Sequence, residues 1–211
     1  MIQGLTLAGC QLRQQRLRDR LAEKNIEAAL LMNPRNVHYL TGYWRGGQSM
    51  VCVATLIATN GPSILITSTP PDAEVAANQS ILFSADRLCT LIDDQPTELM
   101  QVLRPHMENY CRIGCDRLER IGIIDNWQVE DLNDTLLSLK RSKDPDEVQI
   151  LRDAIAASDA AYRCAKQMLQ PGVTELEIYA QMQAAAIEAL GEPITGFGTD
   201  FRSGEPGGLP R

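Results

Sequence analysis

Chemistry in this chain of 211 residues must come from two histidines, six cysteines, 27 acidic and 20 basic side chains. Cys10, Cys52, Cys89, Cys111, Cys115 and Cys164 are scattered without a CxxC pair. A structural zinc site needs closely spaced Cys or His ligands in pairs. Cys111 and Cys115 have no second pair to join, and only His38 and His106 are available. Disulfide scaffolds are shorter and denser in cysteine, so buried free thiols in a reducing cytoplasm fit the pattern better. Asp93 and Asp94, Asp144/Asp146/Glu147, and Glu175/Glu177 fall at turns or helix starts. There, free backbone N–H groups and the helix dipole already account for a carboxylate. His38 beside an apolar run and His106 after a proline each read as structural or exposed, and no G-x-S-x-G supplies a nucleophile. The glycine-rich tail GFGTDFRSGEPGGLPR fits neither phosphate-loop spacing and no lysine follows it, so it reads as a turn-rich loop. From the residues alone, no complete catalytic or metal-binding set is visible.

The elements that would position such groups are those of an ordinary globular chain, 44% hydrophobic and 22% charged. A net charge of −7 argues against nucleic acid as a partner, because phosphate binding needs a basic footprint. No stretch reaches the ~20 apolar residues of a membrane span. Met1 to Cys10 has no basic start, which predicts no signal peptide and a cytoplasmic protein.

Gln11 to Lys24 reads as a first helix with Leu12, Leu17 and Leu21 set among charges at roughly helical spacing and Arg13, Arg16, Arg18 and Arg20 on a solvated face. Ala28 to Met32 has strand length, and Pro34 is placed to open a short helix through Tyr39. Met50 to Thr59 and Ser63 to Thr67, split by Asn60-Gly61-Pro62, predict a β-hairpin. Ser80 to Ser84 and Arg112 to Cys115 read as strands. Glu98 to Tyr110 reads as a helix interrupted at Pro105, and after Cys115 the pattern turns helical. Strands alternating with helices predict a mixed α/β fold. Leu139 to Asp146 (LKRSKDPD) reads as a polar linker, dividing the chain into units 1–139 and 143–211. Asp144, Pro145 and Glu147 then start a helix whose Val148, Leu151, Ile155, Tyr162, Ala165 and Leu169 share one buried face. Thr174 and Glu177 form a second capping box, opening a helix that Gly191 ends.

Two blocks carry a resemblance. RLRDRLAEKNIEAALLMNPRNVHYLTGY, with Asn36, Tyr39, Leu40, Thr41 and Gly42, resembles the start of the creatinase–prolidase–aminopeptidase P family. LKRSKDPDEVQILRDAIAASDAAY…PGVTELEIYAQ resembles the opening of that family's pita-bread domain. It is carried by Lys143, Asp146, Glu147, Leu151, Arg152, Ser158, Asp159, Pro171, Gly172, Thr174, Glu175 and Glu177.

The resemblance implies a creatinase-type N-terminal domain, a mixed sheet flanked by helices, followed by an incomplete pita-bread α+β domain. It implies hydrolysis of C–N bonds in proline-containing peptides or small amidines by a full-length relative. Such a relative holds two divalent metals (Mn, Co or Zn) on two Asp, one His and two Glu, all beyond the segment SGEPGGLPR. The present chain is therefore expected to carry no metal and no catalytic residue, and to be inactive alone. Phe197 and Arg211 are the candidate substrate-pocket residues. Pro210 matches a family proline, but Arg211 stands where a histidine is usual, and arginine cannot act as a general base. A homodimer is expected, because the family's N-terminal domain reaches the neighbouring active site. So large an apolar helix face (Leu151, Ile155, Tyr162, Leu176, Tyr179, Met182, Leu190) also exceeds what an incomplete sheet covers. The alternative is a non-catalytic dimerisation or protein-binding module.

Overall fold

The computed structural model describes residues 4–44, 53–67, 84–91, 96–121, 127–192 and 194. The chain divides into two compact units, Leu5–Asp144 and one that begins at Pro145.

In the first unit, helix α1 (Leu7–Glu23) starts before Gln11 because Thr6 caps it, Oγ1 accepting from Gly9 N at 3.0 Å. Six strands follow among the described residues: β1 (Ala28–Leu31), β2 (Val53–Ala58), β3 (Ser63–Thr67), β4 (Arg87–Thr90), β5 (Arg112–Cys115) and β6 (Gln128–Asp131). They form one sheet in the order β4-β3-β2-β1-β5-β6. β2 and β3 are the expected antiparallel hairpin, and β1 runs antiparallel to β2 but parallel to β5. The pairs β3–β4 and β5–β6 are parallel.

Period-two alternation splits the central strands between two cores. Ala28, Leu30, Leu56, Ile64, Ile66 and Ile113 pack with Leu99, Leu103 and Met107 of helix α3 (Pro96–Met107). On the other face, Ala29, Leu31 and Ile57 pack with Leu17 and Leu21 of α1, with Tyr39 and Leu40 of α2 (Pro34–Thr41), and with Leu136 of α5 (Asn133–Arg141). Burial on both faces is why these strands read as continuous apolar runs. Gly114 in β5 lies where a Cβ would come within 2.5 Å of Leu132 Cδ1.

Several expectations need correction. Helix α3 runs through Pro105 to Met107, so the proline removes one ladder hydrogen bond without ending the helix, which stops two residues later. Residues 80–83 of the strand expected at Ser80 to Ser84 lie outside the described residues, and Ser84 itself is in no strand. The segment after Cys115 holds the short helix α4 (Leu118–Ile121) and also β6, an edge strand. The polar segment Leu139 to Asp146 is largely helical: α5 takes in Leu139–Arg141, and α6 (Pro145–Met168) begins at the expected proline. Only residues 142–144 separate these helices.

In the second unit, α6 and α7 (Glu175–Leu190) pack through Ala157, Ala161, Ile178, Met182 and Ala186. Much of the face expected to be buried is exposed, although Met182 is buried and Ala165 packs beside it. Leu151, Ile155, Tyr162, Leu169 and Leu176 are 50–74% exposed, and Tyr179 and Leu190 are half-buried. Small side chains let two helices approach, so alanines select the contact. The capping box of α7 is present, Thr174 Oγ1 accepting from Glu177 N at 3.3 Å while Glu177 Oε2 accepts from Thr174 N at 2.8 Å. Among the described residues no helix is long and apolar enough to cross a membrane.

Candidate functional site

A buried polar network of the first unit starts beyond the carboxyl ends of the parallel strands β1 and β5. Their connections part there, β1 leading to α2 and β5 to α4, and in open α/β sheets such a crevice is where ligands bind. Here the protein fills it with its own groups. Asp116, 4% exposed, follows β5 directly. Its Oδ1 accepts from Met32 N at 2.8 Å, and its Oδ2 from Asn33 N at 3.1 Å and Asn36 Nδ2 at 2.6 Å. Asn36 Oδ1 in turn accepts from Lys140 Nζ of α5.

Tyr39 lies between two cations, with Arg13 Cζ 5.2 Å and Lys140 Nζ 5.3 Å from its ring centroid. Its hydroxyl donates to Leu139 O at 3.3 Å, and its carbonyl accepts from Arg13 Nε at 2.8 Å. Arg13 is only 1% exposed, which overturns the solvated arginine face. Its burial is tolerated because its donors are met: Nη1 reaches Asp144 Oδ2 at 3.4 Å and Nη2 reaches Cys10 Sγ at 3.3 Å. Arg16 Nη1 binds the other Asp144 oxygen at 2.8 Å. Beside them, buried Gln14 donates to Leu40 O and Ser84 O.

Next along the chain, α2 ends at Gly42, whose φ of 76° favours glycine and whose N–H donates to His38 O. Thr41 Oγ1 donates to Val37 O and accepts from Tyr43 N. The His38 and Trp44 rings lie 5.1 Å apart between centroids and tilted by 58°, and among the described residues His38 Nδ1 has no hydrogen-bond partner. Burial lowers its pKa from 6.5, opposed by the backbone of Tyr43 and Gly42.

Two open grooves flank the unit. One of about 420 Å³ is lined by Gln11, Gln14, Arg18, Ser63 and Asp86. The other, about 650 Å³, includes Glu27, Asn60, Asn109 and Arg112. Their carboxylates already accept from protein donors. Glu27 takes Cys111 N and Arg112 N, Asp86 takes Ser63 N and Oγ, and these bonds hold both pKa values low. Both Asp144 oxygens face arginines. The chemistry of these contacts is positional: they fix the segment Asn33 to Trp44 and the chain's course into Asp144. Phe197 and Arg211 lie outside the described residues.

Of the residues that carry the resemblance, Asn36, Tyr39, Leu40, Thr41 and Gly42 are brought together in this cluster. Arg13, Asp116 and Lys140 were not singled out for it. Arg13 shares the i, i+4, i+8 stripe of Leu17 and Leu21, a signal that could have found it.

A mixed six-stranded sheet with helices on both faces, followed by a helix pair, is the arrangement of a creatinase-type N-terminal domain with part of a pita-bread fold. Residues 13–123 match the creatinase/prolidase N-terminal domain, and the chain belongs to that family. It is 27% identical over 166 residues to an uncharacterized peptidase of Staphylococcus aureus (strain USA300), covering 76% of this chain and 45% of that protein. A Staphylococcus haemolyticus (strain JCSC1435) uncharacterized peptidase is 26% identical over 170 residues, 78% of this chain and 46% of its own length. The fold is similar to the Xaa-Pro dipeptidase from Bacillus anthracis, with a TM-score of 0.65 at 17% identity over 85% of this chain and 49% of that one. It is also similar to the X-Pro aminopeptidase from Thermotoga maritima MSB8, with a TM-score of 0.63 at 19% identity over 83% and 49%. The chain spans about half the length of the curated relatives it matches.

Proposed function

We propose that this chain is part of a metal-dependent peptidase of Xaa-Pro type. Leu5–Asp144 serves as its accessory domain, and the helices from Pro145 belong to its hydrolytic domain. The observation that carries the reading is the exposed stripe Leu151, Ile155 and Tyr162 on α6, continued by Leu169 just past its end. These residues recur at near-whole turns on one side of the helix, outside the α6–α7 core among the described residues. A helix of this kind is built to lie against a sheet, and the matched relatives are about twice as long as this chain. The substrate class is a proline-containing peptide. The two divalent ions and their Asp, His and Glu ligands are supplied by sequence other than the described residues. On this reading the 211-residue chain does not hydrolyse peptides by itself, acts in the cytoplasm, and pairs as a homodimer.

The same stripe supports a second reading, a non-catalytic module that uses α6 to bind a protein partner or its own copy. The coding sequence after the Arg211 codon separates the two. An open frame bearing two Asp, one His and two Glu, whose product releases proline from Xaa-Pro dipeptides with Mn²⁺, supports the peptidase. A stop codon there overturns it in favour of the module.

A further inference from the structure

We propose that Cys89 and His106 form a thiol-modification site, an imidazole-assisted cysteine that takes up a low-molecular-weight disulfide as a mixed disulfide. Cys89 lies on β4, one of the two edge strands among the described residues, and His106 in the last turn of α3. Sγ and Nε2 are 3.7 Å apart, and both side chains are partly exposed. A thiol reacts as its thiolate, and an imidazole within reach can take the proton as sulfur attacks.

Neighbouring cysteines lack one or other requirement. Cys10 and Cys115 are 1% and 0% exposed, and desolvation pushes the Cys115 thiol up to about 12. Cys111 is exposed but has no histidine beside it, since the only other imidazole, His38, lies against Trp44. Cys164 Sγ meets Met168 Sδ at 3.8 Å. Solvent access and an adjacent base therefore coincide at Cys89 among the described cysteines.

The exchange is balanced without a further oxidant. His106 Nε2 accepts the Cys89 proton, and Sγ attacks one sulfur of the disulfide. The Sγ–S bond forms as the reagent's S–S bond breaks, and the departing thiolate takes the proton back from His106. A free thiol in excess reverses the step.

The test is to incubate the folded chain with glutathione disulfide at pH 7 and follow each cysteine by peptide mass mapping. Cys89 should be modified about ten-fold faster than Cys111, below the ~10²-fold that positioned bases give inside active sites. His106→Gln should bring Cys89 down to the Cys111 rate while leaving Cys111 unchanged, and buried Cys10 and Cys115 should stay unmodified, which reports that the variant is folded. Equal rates at Cys89 and Cys111 in the parent chain overturn the proposal, as does a Cys89 preference that survives His106→Gln. Should that variant not fold, His106→Asn takes its place with the same readout, and a Cys89 preference that survives it overturns the proposal.

Discussion

Replacing Asp116 with alanine tests whether the crevice between β1 and β5 is closed by that carboxylate. The substitution removes the acceptor of Met32 N, Asn33 N and Asn36 Nδ2 at once. Met32 is 1% exposed, so its amide has no water to turn to. An orphaned buried donor costs about 1–3 kcal/mol. Two backbone amides, of which Asn33 is only half-buried, therefore predict a loss of about 2–5 kcal/mol. Against a total of about 5–15 kcal/mol, that is a large fraction of a small domain's stability. With a urea m-value of about 2 kcal/mol/M, the midpoint should fall by roughly 1–2.5 M. Tryptophan fluorescence reads this unit selectively, because both tryptophans, Trp44 and Trp127, lie within Leu5–Asp144. Asp116→Asn should fall between parent and alanine variant, since it keeps one acceptor but turns an N–H₂ toward a donor. A midpoint for Asp116→Ala within about 0.2 M of the parent at equal m would refute the reasoning.

Gly114→Ala should cost about 1–3 kcal/mol by thermal unfolding, because its Cβ meets three Leu132 side-chain atoms within 2.7 Å. Acidification should erode stability through His38. Its folded pKa lies below 6.5, so the unfolded chain binds the proton first; the contribution is complete above 6.5 and lost as pH falls toward the folded value. His38→Gln should flatten that part of a pH series of urea midpoints. Calorimetry of the metal-stripped 211-residue chain with Mn²⁺ or Zn²⁺ should show no tight pair of sites, and two stoichiometric sites would contradict it. Light scattering at micromolar concentration should find a dimer, and Ile155→Glu on the exposed stripe should shift it toward monomer.

What could be read from the sequence followed burial. β1, β2, β3 and β5 were visible because apolar side chains cover both their faces, as in Ala28–Leu31, whose four residues are all buried. β4 (RLCT) and β6 (QVED) were not, because edge strands carry charge to water and look like loops. The period of α6 was correct but its orientation was not: the repeat of Leu151, Ile155 and Tyr162 marks a face, whereas Ala157 and Ala161 decide which face meets α7. In the candidate site, Asn36, Tyr39, Thr41 and Gly42 were legible as a local pattern. Asp116 was not, because its donors Met32 and Asn33 lie more than 80 residues away and no spacing rule links them.

Among the described strands β1 comes first in chain order and sits inside the sheet, which has a consequence for the chain as it leaves the ribosome. β2 can pair with one edge of β1 soon after it emerges, but the other edge waits for β5, whose Arg112 comes 81 residues after Leu31. At about 5–20 residues per second, that interval lasts roughly 4–16 s. Throughout it, the all-apolar strand AALL offers open N–H and C=O groups to any neighbouring nascent chain. A pause or a rare-codon cluster between the codons for β3 and β5 should therefore lower soluble yield more than the same delay placed after Cys115.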